Sequence, residues 1–293
     1  MILNFTAREE DKGRTVYSIL RREMQVSAAL TRRLKAVDAI LVGGVPVYTN
    51  FEVAPGQTVE AHIDAAEPPC DNIPEDGPLE ILFENEGLIA VNKPPGIIVH
   101  PSRAKNSGTL SNFVAGYLLR TGSSPVCHAV NRLDRDTTGV VLFAKNSHMK
   151  ARAAQALRDD CAEKEYTVLV YGRLPERGVI DAPVRRQREM DMFRIVSPDG
   201  QRAVTHYETV DVLHEGRVSF LRLRLETGRT HQIRVHCLHI GHPVLGDMLY
   251  NTEESRRTSQ ELGIKTQALH AYKLGFIEPL SGEFIEVTAP SPF

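Results

Sequence analysis

The sequence has no tryptophan, only four cysteines and no long apolar run. The missing tryptophan excludes nothing by itself. The cysteines Cys70, Cys127, Cys161 and Cys237 follow no paired spacing. That argues against a disulfide framework or a cysteine-based zinc site and fits reduced thiols in a cytoplasm. No stretch approaches the ~20 apolar residues that a membrane-spanning helix needs. The first residues, MILNFTAREEDKGR, lack the basic start and apolar core of a signal peptide. The expectation is a cytoplasmic protein without a membrane partner. Charge of one sign is also missing: 35 Lys and Arg stand against 37 Asp and Glu, a formal net charge of −2. Such a chain is not built to coat nucleic acid indiscriminately.

What is present is an ordinary globular composition, 293 residues with 42% hydrophobic and 25% charged. That is enough for one large domain and a small one. The near-neutral total conceals an asymmetry. Residues 64–80 hold Asp64, Glu67, Asp71, Glu75, Asp76 and Glu80 without a single Lys or Arg, so the body that follows is mildly basic. Within this stretch, DAAEPPCDNIPEDGP (64–78) is rich in Pro and acid and poor in large apolar side chains. It reads as a linker. The expected organisation is a small unit over 1–63, the linker over 64–78 and a large unit over 79–293.

In the small unit, Val16, Ile19, Leu20 and Met24 are spaced as one face of a short helix. Ser27 can cap a second helix whose inner face is Leu30, Leu34 and Val37. Gly43-Gly44 ends it, and short β segments follow, turned at Thr49-Asn50 and Pro55-Gly56. Arg21, Arg22, Arg32, Arg33 and Lys35 lie on the two helices. Two basic helices and a small hairpin resemble the S4-type RNA-binding module, with VYT where that module usually has VNG. A solvated basic face is the plainer alternative.

The large unit opens with two short strands, Ile81-Leu82-Phe83 and Leu88 to Val91, around an Asn-Glu-Gly turn, and Pro94-Pro95-Gly96 forces an irregular loop. Helices are expected from Thr109 to Leu119 and from an N-capping Ser147 to Leu157. EYTVLVYGR (165–173) reads as a strand. SFLRLRLETG (219–228) alternates, with Leu221, Leu223 and Leu225 on one face and Arg222 and Arg224 on the other. Thr230 can cap a helix that turns Ile233, Cys237 and Ile240 inward and stops at Gly241. A final pair of strands closes the chain. The order has no regular βαβ rhythm, so the fold class expected is α+β, with a mixed, largely antiparallel central sheet and flanking helices.

The densest chemistry lies in NRLDRDTTG (131–139), two arginines and two aspartates at the mouth of the apolar run VVLFAK. Charge so close to a core is costly unless it is paired or used. Guanidinium neighbours hold an aspartate such as Asp134 in its ionised form. An ionised, oriented carboxylate suits a nucleophile or a base rather than an acid. A structural Arg–Asp bridge is the commoner fate of a lone Arg-x-Asp. If the segment were extended, Arg132, Asp134 and Asp136 would share a face.

This motif has company. VNKPPGIIVHP (91–101), NRLDRDTTGVVLFAKN (131–146), EKEYTVLVYG (163–172) and LETGRTHQIRVHCLHIGHPVLGD (225–247) occur in this order. Together they resemble the RluA-type family of RNA pseudouridine synthases, in its larger form with an S4-like N-terminal domain. The resemblance covers 79–293 and, more weakly, 14–63. It implies an isomerase that converts uridine to pseudouridine in RNA. Large-subunit ribosomal RNA is the usual target of the S4-bearing form, and transfer RNA is the other. It also implies that Asp134 is the essential catalytic group, that Tyr166 stacks on the flipped uracil, that Arg234 pairs with Asp134, and that Arg132 fills the space left by the base. Lys164 and Val235 fall inside the same motifs as pocket residues, although Val235 reads equally well as core. The loop 97–101, with His100, is given a structural or RNA-contacting part. No cofactor or metal is implied, most relatives need no partner, and a monomer is expected. Asn131 departs from the family's usual histidine, and TTG replaces TSG. A scaffold that binds RNA without activity is the alternative that Asn131 keeps open.

Other readings are weaker. His231, His236, His239 and His242 cluster like metal ligands, but neither a carboxylate other than Asp247 nor a cysteine pair accompanies them. Cys127 and Cys237 sit among apolar residues as core thiols do. Lys93-Pro94-Pro95-Gly96 is too short for a phosphate loop. Asp134 and Asp136 could form a glycosidase pair, but no proton donor is evident.

Overall fold

The computed structural model describes residues 1–68, 72–101, 106–188 and 192–293. Cys70 and Asp71, counted above among the thiols and the acids, lie outside the described residues.

The N-terminal unit contains β1 (Ile2–Thr6), α1 (Val16–Arg22), α2 (Ala28–Ala36), β2 (Ile40–Val42), β3 (Val45–Pro46) and β4 (Thr58–His62). The strands form one antiparallel sheet in the order β1-β4-β2-β3. β1 has no counterpart in the sequence reading: ILNFT is short and half exposed, and only pairing with β4, Ile2 opposite His62, makes it a strand. Ser27 caps α2 as its position predicts, its hydroxyl accepting the Leu30 N–H at 3.1 Å. Val16, Ile19, Leu20, Met24, Leu30 and Leu34 close a core against Ile40, Val59 and Ile63. Val37, expected on this face, is 51% exposed. The helix has already ended, and Asp38 turns into the left-handed region at φ 52°.

The large unit contains β5 (Glu80–Glu84), β6 (Leu88–Lys93), α3 (Leu110–Arg120), β7 (His128–Ala129), β8 (Thr138–Ala144), α4 (Ser147–Ala156) and β9 (Glu163–Tyr171). It continues with β10 (Arg177–Asp181), β11 (Val184–Arg186), β12 (Arg194–Val196), β13 (Val204–Leu213), β14 (Val218–Leu225), α5 (Gln232–His239), α6 (Glu253–Glu261), β15 (Leu269–Ile277) and β16 (Phe284–Thr288). The central sheet runs β10-β13-β14-β9-β15-β8-β6-β5, with β16 beside β15 and β7 beside β8. Every pairing is antiparallel except β8 with β15, so the fold is α+β with a mixed, largely antiparallel sheet. The parallel seam has only two rungs, His270 opposite Thr138 and Ala271 opposite Gly139. Gly139 is required there. Its φ is 106°, and a Cβ would come within 2.2 Å of the Ala271 carbonyl oxygen.

LIAV in β6 and VVLFA in β8 are apolar without alternation because both faces are buried. Leu88, Ala90, Val140 and Leu142 pack under α4 with Met149 and Phe276. Ile89, Val91, Val141 and Phe143 pack against Val114 and Leu118 of α3. β14 alternates as read, Leu221 and Leu223 each 1% exposed, and packs with Val168 and Val170 of β9 against Ile233 and Cys237 of α5. The cap of α4 is Asn146, whose side chain accepts the Met149 N–H at 2.9 Å; Ser147 is the first helical residue. Thr230 does not cap α5; His231 takes the N-cap position at φ 58°.

Among its described residues the acidic connector has no strand, and two of its carboxylates reach the large unit. Glu67 accepts the Ser147 N–H at 3.0 Å and pairs with His128 at 2.9 Å, and Glu75 accepts the Gly108 N–H at 2.8 Å. Gly116 of α3 lets this segment pass, since a Cβ would lie 2.1 Å from the Glu75 carbonyl oxygen.

Candidate active site

Asp134 lies in the loop that enters β8. The Thr137 N–H bonds the Asp134 carbonyl at 3.2 Å, so the chain turns through Arg135 and Asp136 and is not extended. Arg132, Asp134 and Asp136 therefore share no strand face. Arg135 pairs with its neighbour Asp136 at 3.1 Å, exposed. Two side chains hold the loop from below. Asn131 accepts the Leu142 N–H at 2.7 Å and donates to the Val140 carbonyl at 3.2 Å, which adds rungs to β8 beyond the sheet's own. Lys93, 0% exposed, donates to the carbonyls of Pro94, Ile97 and Arg135 at 2.9, 2.8 and 2.7 Å. Burial pushes its pKa down to about 8, against the pull of Asp136 and Asp134.

Arg234 projects from α5 to meet Asp134, Nη1 donating to Oδ2 at 2.8 Å. Its other nitrogens grip Asp247 in a bidentate pair, Nε to Oδ2 at 2.6 Å and Nη2 to Oδ1 at 2.8 Å. The Asp247 side chain is wholly buried and also accepts the N–H groups of Leu249 and Tyr250. The guanidinium lies over the Tyr250 ring, 4.9 Å from its centroid. Burial opposes the charge of Arg234, but the bonds to Asp247 and then Asp134 outweigh it and raise its pKa. The arginine is thus a rigid post, and Asp134 is bound to its free end.

Asp134, Arg132, Tyr166, Leu225, Arg229 and His231 line an open cleft of about 420 Å³ between β8, β9 and the loop before α5. Tyr166 reaches it from β9, between Leu223 of β14 and Ala271 of β15. Burial first, and then the charge of Asp134, push its phenol up to about 12. At neutral pH it keeps its proton and can donate a hydrogen bond. Arg132 is exposed at the rim. Lys164 lines the outer end, with Nζ bonded to the Leu157 carbonyl at 2.5 Å.

Val235 does not line the cleft. It follows Arg234 by one residue, a turn of ~100° on a helix, and packs with Val184, Ala203 and Tyr250. His100 is exposed outside the lining, close enough to Arg132 and Lys150 for their charges to lower its pKa, after desolvation. Asp136, the second carboxylate of the glycosidase reading, is also outside the lining. Cys127 and Cys237 are buried, as their apolar surroundings suggested. His236 is fully buried with one ring nitrogen on the Thr205 hydroxyl and the other on the Ala182 carbonyl, each at 2.9 Å. Among the described residues no three His, Cys, Asp or Glu are grouped to hold a metal, and no helix is long and apolar enough to cross a membrane.

The basic residues of the N-terminal unit divide. Arg22 and Arg32 are exposed, and Lys35 lies over the Tyr48 ring at 5.8 Å. Arg21 donates to the Val26 carbonyl at 2.6 Å beyond the end of its helix. Arg33 faces inward, donating to the Ala66 carbonyl and the Ser147 hydroxyl, each at 3.0 Å. It fastens the small unit to the large one. Lys93, Asp247, Tyr250 and His231 gained no role at the site from the sequence alone. The signal available for Lys93 was a lysine inside a buried apolar run.

Residues 87–239 match the family described as RNA pseudouridylate synthase. The chain is 36% identical to the RNA pseudouridine synthase YhcT of Bacillus subtilis, over 99% of this chain and 94% of that one. It is 39% identical to ribosomal large subunit pseudouridine synthase D of Zymomonas mobilis, over 76% of this chain and 73% of that one. Among solved structures it resembles human RNA pseudouridylate synthase domain containing 1, with TM-score 0.60 and 25% identity, covering 78% of this chain and 87% of the human one.

Proposed function

The chain belongs to the RluA-type RNA pseudouridine synthase family and is an isomerase acting on RNA, and on that premise we propose that it modifies uridine in large-subunit ribosomal RNA with Asp134 as its catalytic group. The observation that carries the assignment is the Asp134–Arg234 pair at 2.8 Å in the wall of the cleft. The ion pair aims the carboxylate, while its side chain remains 27% accessible.

The reaction breaks the C1′–N1 bond, turns the uracil and joins C1′ to C5, whose hydrogen leaves as a proton while N1 takes one up. No atom is gained and no electron is transferred. The chemistry asks for a carboxylate that attacks C1′ or removes the C2′ proton, and for a group that manages the base. Asp134 takes the first task. Tyr166 takes the second, its ring a stacking face and its phenol a donor. The uridine must leave its stack to reach them, at a cost of a few kcal/mol, and aromatic stacking returns about 1–3 kcal/mol per base. Arg132 at the rim is suited to occupy the vacated place in the RNA, and Lys164 to meet its backbone. Asn131 acts through the β8 backbone, accepting the Leu142 N–H and donating to the Val140 carbonyl.

Residues 1–63 act as an S4-like RNA-binding module that presents Arg22, Arg32 and Lys35, and residues 79–293 form the catalytic body. The ribosomal target is supported by relatives named ribosomal large subunit pseudouridine synthase D in Zymomonas mobilis and Vibrio cholerae.

The test is tritium release from RNA labelled at uridine C5, with unmodified transcripts of large-subunit ribosomal RNA and of transfer RNA. Wild type is expected to release tritium from the ribosomal transcript, and Asp134→Asn none. Release from transfer RNA alone would overturn the target. Release by Asp134→Asn would overturn the catalytic assignment. RNA binding without release by wild type would leave an inactive binder.

A further inference from the structure

His231 occupies a backbone conformation that a histidine seldom adopts. Its φ is 58° and its ψ 17°, at the residue that opens α5. Its carbonyl still accepts the Val235 N–H at 2.9 Å, so the left-handed turn does not interrupt the helix. The consequence is where the ring goes. Nδ1 lies 2.9 Å from the Tyr250 hydroxyl, and Nε2 lies 3.7 Å from Oδ2 of Asp134. The ring meets Tyr250 edge-on, with centroids 5.5 Å apart. Strain held at a site in this way asks for a use.

The protons can be assigned. The Tyr250 oxygen accepts the Arg194 N–H at 2.8 Å, in β12. Tyr250 is 3% exposed, and its oxygen has two partners among the described residues, Arg194 and His231. With Arg194 donating, the hydroxyl proton has one place to go, Nδ1 of His231. The alternative strands a buried donor. Nδ1 is then the acceptor and Nε2 carries the ring proton, pointing at Asp134. Burial, the first influence on the ring, keeps it neutral. Asp134 and Asp247 oppose that effect, while Arg234 and Arg194 reinforce it. The ring therefore approaches Asp134 as a hydrogen-bond donor and not as a second cation.

We infer that His231 is a positioning residue for Asp134: Tyr250 fixes its Nε2–H tautomer, and that N–H closes on Oδ2 beside Arg234, which leaves Oδ1 to face the ribose. Both donors converge on one oxygen. Arg234 already holds Oδ2 at 2.8 Å, and His231 waits about 1 Å beyond bonding distance. The second bond forms when RNA fills the cleft and drives out water, as catalytic hydrogen bonds tighten on binding. β12 is joined to the catalytic carboxylate by this chain of contacts from Arg194 through Tyr250 and His231. The inference rests on Asp134 being the catalytic group.

The experiment measures single-turnover tritium release from a large-subunit ribosomal RNA transcript labelled at uridine C5. His231→Asn tolerates the left-handed backbone but is too short to reach Asp134. His231→Gln places an amide N–H near the position of Nε2. The expected result is a rate about tenfold to a hundredfold lower for His231→Asn, the scale of a misplaced catalytic group, with unchanged RNA affinity and substantial recovery in His231→Gln. Tyr250→Phe should slow the wild type and add nothing to His231→Asn. A His231→Asn rate equal to wild type, or equal losses in the Asn and Gln variants, overturns the inference. Nitrogen-15 NMR of histidine-labelled wild type gives a reading that does not need activity. The expected His231 signal is that of an Nε2–H tautomer, changed in Tyr250→Phe. An Nδ1–H or doubly protonated ring overturns the assignment. If wild type releases no tritium, the substrate reading fails, and the tautomer is still decided by the spectrum.

Discussion

Lys93 donates from a fully buried position to the carbonyl oxygen of Arg135, 2.7 Å away, across 42 positions of sequence. The same ammonium serves Pro94 and Ile97. All three of its protons end on carbonyls, so the loop after β6 and the loop that carries Asp134 are one assembly. Replacement by Met keeps the stem and removes the donors. Each orphaned acceptor costs about 1–3 kcal/mol, so Lys93→Met should lose several kcal/mol in urea unfolding.

The same residue gives a pH signature. Its pKa in the fold is about 8, against 10.5 in an open chain. Between these values the unfolded chain binds the proton and the folded one does not, so stability from this group rises with pH. The cost of the buried charge is fully present below about 8 and is relieved toward 10.5. The stability difference between wild type and Lys93→Met should widen over that interval. A gap that narrows with pH would contradict the assignment.

Asn131→Ala removes two bonds to the β8 backbone. A loss of about 1–3 kcal/mol is expected, or roughly 2–4 °C in melting temperature for each kcal/mol. Tritium release should fall with it, because the loop anchored there carries Asp134. An unchanged melting curve would show that the sheet holds the loop unaided.

Arg32 and Arg33 are neighbours with opposite expected behaviour. Arg32 is exposed on α2, and Arg33 bridges to Ala66 and Ser147. Arg32→Ala should weaken binding of a ribosomal RNA transcript and reduce the salt slope by about one unit, with melting unchanged. Arg33→Ala should lower the melting temperature and leave the slope alone. The reverse pattern in a salt titration would exchange their roles.

Much of this was legible in the sequence because it is local. The β8 run, the Leu alternation of β14 and the cap at Ser27 depend on neighbours a few residues away. Gly139 and β1 depend on partners far along the chain, Ala271 and His62, and only the fold shows them. The motif order pointed to Asp134, Tyr166 and Arg234, and the structure brings the three to one cleft. It could not show that Val235 turns into the core, that Arg33 faces inward, or that Asp247 and Tyr250 brace Arg234. Those depend on helix phase and on packing between elements distant in sequence.

The parallel seam between β8 and β15 has one more consequence, in the order of synthesis. Asp134 arrives with the first half of the sheet, Arg234 is made a hundred residues later, and β15, which joins the halves, comes later still. A nascent chain still attached to the ribosome has its carboxylate long before it has the arginine that aims it. The Asp134–Arg234 pair therefore cannot form until the segment that carries α5 has been made, and the sheet is joined only when β15 docks between β8 and β9.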